Sequence, residues 1–217
     1  MKTDSQLRDD VQAELRWDPS VQAANVGVIV KDGVVTLTGH LASHAEKYAA
    51  ERAVQRVHGV KALAIEMTVK LPFDNQRTDA DIAAAAERAL EWNVLVPDGK
   101  IHPMVEKGWL TLNGEVDWDY QRSAAESAVR DLMGVTGVSN LVKVTPKVSP
   151  ADVEKKIHSA LSRQADREAS RLAIKVDGSQ VTLRGTVHSW VERDAVQGAA
   201  WATPGVSMVV NELLVDA

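Results

Sequence analysis

The sequence predicts an α+β fold: three tandem αββαβ modules, each a three-stranded mixed sheet covered by two helices. Three observations predict it. The strand motif Val34-Val35-Thr36-Leu37-Thr38-Gly39 recurs as Trp109-Leu110-Thr111-Leu112-Asn113-Gly114 and as Gln180-Val181-Thr182-Leu183-Arg184-Gly185. The offsets, 75 and then 71 residues, also carry Leu7, Val11 and Leu15 onto Ile82, Ala86 and Leu90, then onto Val153, Ile157 and Leu161. They carry Gly59-Val60 onto Gly134-Val135 and Gly205-Val206 without gaps. Self-similarity at fixed spacing is the mark of a repeat architecture. The modules are bounded at 1–72, 76–146 and 147–217, with proline-containing polar linkers at 72–78 and 145–150.

Each module opens on a helix. Thr3, Thr78 and Ser149 are equivalent caps, followed three residues later by Gln6, Asp81 and Asp152. Pro150 takes the first helical position of the third copy, where a missing N–H costs nothing. Apolar residues at i, i+4 and i+8 then give one buried stripe. Two strands follow, joined in the first copy by a three-residue turn, Lys31-Asp32-Gly33, and in the second by Glu106-Lys107-Gly108. In the third copy the glycine comes one place earlier, at Gly178, so a different turn is expected. Pro103 cannot donate to a ladder and marks its strand as an edge or a late starter.

A second helix begins at the capping boxes Ser43-x-x-Glu46 and Ser189-x-x-Glu192; the second copy has Trp118 at the cap and keeps Gln121. It stops at Gly59, Gly134 and Gly205, and a last strand follows. A strand-helix-strand crossover is right-handed and makes the last two strands parallel. Gly39, Gly114 and Gly185, which end a strand, and Gly59, Gly134 and Gly205, which end a helix, are read as backbone devices. A module of this size buries only about 60% of its unfolded surface, so the three are expected to pack on one another.

Composition narrows the function. The chain has 217 residues, 45% hydrophobic and 25% charged, with no cysteine, which removes disulfides and thiol chemistry. Its net charge of −5 argues against a dedicated nucleic-acid binder. No transmembrane run is present. The start, Met1-Lys2-Thr3-Asp4, lacks the apolar core of an export signal, so a cytoplasmic location is expected, or a periplasmic one if a leader has been trimmed.

These motifs resemble the BON domain family of OsmY-like bacterial osmotic-shock and nodulation proteins. The resemblance rests on the helix openings Asp4-x-x-Leu7 and Asp79-x-x-Ile82 and on Val35-Thr36-Leu37-x-Gly39 with its copies. It rests also on the end motif Gly134-Val135-x-x-Val138-x-Asn140, repeated at Gly205-Val206-x-x-Val209-x-Asn211; the first copy has Ile65 in place of the asparagine. Such a resemblance implies a non-enzymatic protein that associates with anionic phospholipid or acts in a chaperone-like way under osmotic stress. Familiar members carry export signals or lipid anchors, which this sequence does not show.

The residues themselves offer no catalytic constellation and call for no cofactor. His40 and His44 straddle a strand end and a helix start, so helical metal geometry does not apply to them. Gly134-Val-Thr-Gly137 has the spacing of an RNA-clamping loop, but it occurs once and follows a helix; it is read as a turn. Tryptophan stands out, with six against two tyrosines and one phenylalanine. Trp17 and Trp92 are equivalent and are expected to pack; Trp201 is expected to be buried and Trp109 to face outward. Trp118 and Trp190, at the start of the second helix, are candidate contacts for lipid or a partner. The densest basic run, Lys155, Lys156 and Arg163, is the companion candidate for anionic lipid, its alternative being a solvated face paired with Asp152, Glu154, Asp166 and Glu168. The expected partners are thus an anionic phospholipid surface or polypeptides.

Overall fold

The computed structural model describes residues 2–146, 153, 156, 157, 159 and 172–215. The first module runs α1 (Asp4–Trp17), β1 (Val26–Lys31), β2 (Val34–Leu41), α2 (His44–Arg56) and β3 (Ala62–Val69). The second runs α3 (Asp79–Glu91), β4 (Ile101–Glu106), β5 (Trp109–Val116), α4 (Asp119–Val129), β6 (Gly137–Asn140) and β7 (Lys143–Val144). The third shows β8 (Leu172–Asp177), β9 (Gln180–Val187), α5 (Trp190–Trp201) and β10 (Met208–Val215). Val153, Lys156, Ile157 and Ser159 are also helical. The expected cap at Ser149-Pro150, and Lys155, Arg163 and the acidic residues proposed to pair with them, lie outside the described residues.

The helix starts follow from their caps. The Thr3 hydroxyl accepts from the Gln6 amide while the Gln6 side chain accepts from the Thr3 amide. Thr78 accepts from the Asp81 amide, Ser43 from Glu46 and Ser189 from Glu192. Each bond satisfies a donor that the helix itself leaves free. The stripe Leu7, Val11 and Leu15 is buried, as are Ile82, Ala86, Leu90, Val153 and Ile157.

Every module has one sheet with the same topology. The first two strands are antiparallel and the last is parallel to the middle one, giving the orders β1-β2-β3, β4-β5-β6 and β8-β9-β10. Pro103 sits on the edge strand β4, opposite Leu112, where no interior ladder loses a donor. The hairpin loops are shorter than the sequence suggests. Lys31 pairs with Val34 and belongs to the strand, which leaves the two-residue loop Asp32-Gly33 with φ of 53° and 80°. Glu106 likewise pairs with Trp109 around Lys107-Gly108. Two residues at positive φ match the right-handed twist of a hairpin. In the third module only Gly178 of the Gly178-Ser179 loop has positive φ, so that turn belongs to another type.

An acidic clamp holds the first two hairpins. The Asp4 carboxylate accepts from the backbone N–H groups of Asp32 at 2.8 Å and Gly33 at 3.1 Å. Asp79 accepts from Lys107 and Gly108, both at 2.8 Å. One side chain thus ties the first turn of a helix to the tip of a hairpin about thirty residues on. The third copy has Pro150 at this position and no carboxylate to offer.

Cores lie between helices and sheets. That of the first module is one cluster around Leu7, Leu15, Leu37 and Val54. Those of the second and third modules merge into a single cluster containing Leu110, Leu112, Leu183 and Trp201. The strand-ending glycines serve close approach: at Gly39, with φ of 130°, a Cβ would stand 2.1 Å from the Asn25 carbonyl oxygen. Gly39→Ala is therefore expected to cost about 3 kcal/mol of stability, read as a lower urea midpoint; a change under about 0.5 kcal/mol would show that the backbone relaxes freely there.

Candidate functional site

The second helices organise the molecule. They meet head to tail, and the contacts close on themselves. At the start of α2, His44 Nδ1 donates to the Arg130 carbonyl, 3.2 Å away at the end of α4. The Arg130 guanidinium lies 4.1 Å from the ring centroid of Tyr48. At the start of α4, the Arg122 guanidinium lies 4.5 Å from the ring of Trp201, the last residue of α5. At the start of α5, the Trp190 indole donates to the Val60 carbonyl beyond the end of α2 at 2.9 Å, and Arg52 pairs with Asp194 at 2.9 Å. His44, Asp119 and Trp190 are equivalent by the repeat offsets, as are Gln55, Arg130 and Trp201. Each start meets the end of the next second helix in the ring, which is the geometry of a closed heterologous ring.

Both tryptophans proposed for lipid or partner contact stand at these seams. Trp190 is half-buried, packs against the core of the first module and lies 5.2 Å below the Arg193 guanidinium. Trp118 is half-buried beside Tyr120, their centroids 6.5 Å apart. Trp190 docks across its joint, and Trp118 is a wall of the cavity at another. Lys156 is exposed on its helix, while Lys155 and Arg163 fall outside the described residues, so the basic run is not assembled into a described surface.

The exposed aromatic residues lie elsewhere. Trp17 and Trp92, expected to pack, are 83% and 89% exposed. Each follows the last stripe residue, Leu15 or Leu90, by two positions, which turns the side chain about 200° away from the core. That spacing was readable from the sequence and identifies the residues that recurrence alone misassigns. Val94 and Leu95, just beyond Trp92, are exposed too. Trp109 faces outward on its sheet, its indole donating to Ser139, and Trp201 is buried.

Ionisable groups are few at these places. Burial holds the His44 pKa below its ordinary value, although the bond to the Arg130 carbonyl works the other way. Burial raises that of Asp119 against its ion pair with Arg122. No group of histidine and carboxylate side chains suited to a metal occurs among the described residues. No described helix is long and apolar enough to cross a membrane.

The asparagine of the end motif has a local task. Asn140 Nδ2 donates to the Arg122 carbonyl and to Glu126, and Asn211 Nδ2 donates to Gln197, clipping the last strand to the second helix. Ile65 leaves the first module without this clip.

The BON domain matches the chain three times, at residues 3–70, 78–146 and 149–217. The chain belongs to the BON domain family. Among curated relatives, these BON modules are similar to Osmotically-inducible protein Y of Escherichia coli (strain K12), 25% identical over 144 residues, which cover 64% of this chain and 72% of that one. Two solved structures of CdsD, a structural protein of the type III secretion system of Chlamydia trachomatis, align at 15% identity. One alignment covers 97% of this BON chain and 92% of that one, with a TM-score of 0.26. The other, to the C-terminal domain, covers 100% of each at 0.27. At such scores the family assignment rests on the sequence matches.

Two measurements test the ring. Trp190→Ala removes a half-buried indole and its hydrogen bond, and is expected to cost about 2 kcal/mol and to enlarge the radius of gyration in small-angle scattering. An unchanged scattering profile and melt would mean that the seam closes without it. The His44 imidazole, with its folded pKa below the unfolded value of 6.5, stabilises the seam above that value. The contribution is lost as pH falls from 6.5 through the lowered folded pKa. The melting temperature is expected to fall over that interval more steeply for the wild type than for His44→Gln; parallel curves would assign the loss to other groups.

Proposed function

We propose that this BON protein is a non-enzymatic, stress-associated binding protein that attaches peripherally to anionic phospholipid. The carrying observation is the pair of equivalent, outward tryptophans, Trp17 and Trp92, at the ends of α1 and α3. An indole has an apolar body and a polar edge, which suits the headgroup boundary of a bilayer. Val94 and Leu95 extend the apolar tip beside Trp92. The position equivalent to these tryptophans in the third module is Arg163, so two insertion points are joined by one cationic point of the same repeat set. Lys155, Lys156 and Arg163 supply the charge that favours anionic lipid, each adding about 1 kcal/mol near a surface. The stress association is supported by the likeness to Osmotically-inducible protein Y.

A chaperone-like reading has its own support. Ile29, Met104, Trp109, Met208 and Leu214 stand on the sheet faces away from the helices and are exposed. Apolar residues on an open sheet face suit polypeptide partners.

Co-sedimentation with anionic and zwitterionic vesicles separates the two. Salt-sensitive binding to anionic vesicles is expected, with Trp17→Ala plus Trp92→Ala weakening it at least about tenfold, the equivalent of 1.4 kcal/mol. Lys155→Glu plus Lys156→Glu is expected to remove most of the salt dependence. Absence of binding to both vesicle types, with suppression of client aggregation at near-stoichiometric ratio, would replace the lipid reading by the chaperone-like one.

A further inference from the structure

The three seams of the ring are equivalent by sequence but unequally filled. The first is occupied by His44, Tyr48 and Arg130, and the one between α5 and α2 by Trp190 and the Arg52–Asp194 pair. The seam between the start of α4 and the end of α5 keeps a cavity of about 700 Å³, within the size range of small-molecule sites. Substitution explains the space. Asp119 stands where the other copies have His44 and Trp190, and Ser123 where they have Tyr48 and Asp194. Gly198 stands where the first copy has Arg52, and a Cβ added there would meet nothing within 4 Å among the described residues.

The walls have a consistent chemistry. Trp118, Tyr120 and Trp201 supply three aromatic rings, and Asp119 supplies a half-buried carboxylate. Trp201 is nine-tenths buried, and its indole N–H has no partner among the described residues. Arg122 already lies over the Trp201 ring, so this wall accepts a cation. Asp119 and Glu126 together carry two negative charges near the single guanidinium of Arg122, and Glu126 adds to the burial that disfavours ionised Asp119. Among the described residues, these three groups leave an excess of one negative charge in an aromatic, partly dry setting. Such a setting favours a weakly hydrated cation over a compact primary ammonium, whose water is costly to remove.

We propose that the α4–α5 seam binds a small organic cation of the quaternary ammonium class, held against Trp118, Tyr120 and Trp201 with Asp119 as its counter-ion. The site is separate from Trp17 and Trp92 and does not depend on the lipid reading. Choline is the probe, followed through the six tryptophan indole N–H signals in a nitrogen–proton correlation spectrum of the full chain. Choline chloride is expected to shift the Trp118 and Trp201 signals saturably, while sodium chloride at equal ionic strength does not. The neutral isostere, with a tert-butyl group in place of trimethylammonium, is expected to bind at least about tenfold more weakly, because it lacks the charge that the rings and the carboxylate attract. Asp119→Asn should weaken choline about fivefold or more. Gly198→Leu fills the space with a better helix former, so the protein stays folded and choline binding is abolished. Phosphatidylcholine vesicles then identify the source: competition with free choline assigns a lipid headgroup, and its absence assigns a free solute. Equal shifts by choline and its neutral isostere, no shift by choline, or unchanged choline binding in Gly198→Leu would each overturn the proposal.

Discussion

Everything else in the structure depends on the burial of the second helix. One module is too small to cover both its sheet and its own helix ends. Its second helix packs inward on the sheet, and its two ends meet the neighbouring modules. Three modules solve this by a cycle in which α2, α4 and α5 each meet the next end on. The contacts are chemically different at every joint: an imidazole on a carbonyl, a guanidinium on an indole, an indole on a carbonyl. What is shared is the position in the repeat, so geometry and not side-chain identity is what the three copies hold in common. The exposed Arg52–Asp194 pair adds little by itself; the docked Trp190 indole contributes more at that joint.

Much of the fold was legible in the sequence because it is local. Caps such as Thr3 and Ser43, the stripe of Leu7, Val11 and Leu15, and the turn glycines each act within a few residues, and short-range rules reach that far. The turn length was misread by one residue, because whether Lys31 belongs to loop or strand is decided by its pairing with Val34 across the hairpin. The clamp by Asp4 and Asp79 was visible only as part of a motif; its purpose spans nearly thirty residues and needs the folded chain.

The candidate site was less legible, and tryptophan shows why. A recurring aromatic residue suggests packing, yet Trp17 and Trp92 recur on the far side of the helix from the core. Trp118 and Trp190 were read as exposed candidates because their own modules offer them no cover. Trp190 finds its cover in another module, 130 residues away at Val60, while Trp118 lines the cavity between α4 and α5. No pattern within one repeat could show that, since the repeats are similar while the seams are not.

The acidic clamp also couples helix to hairpin inside a module. In the first two, the opening helix carries the acceptor for the hairpin tip, so that helix cannot depart without exposing the backbone N–H groups of the turn. Fraying of the helix start and loosening of the hairpin tip are thereby a single event in each of these two modules.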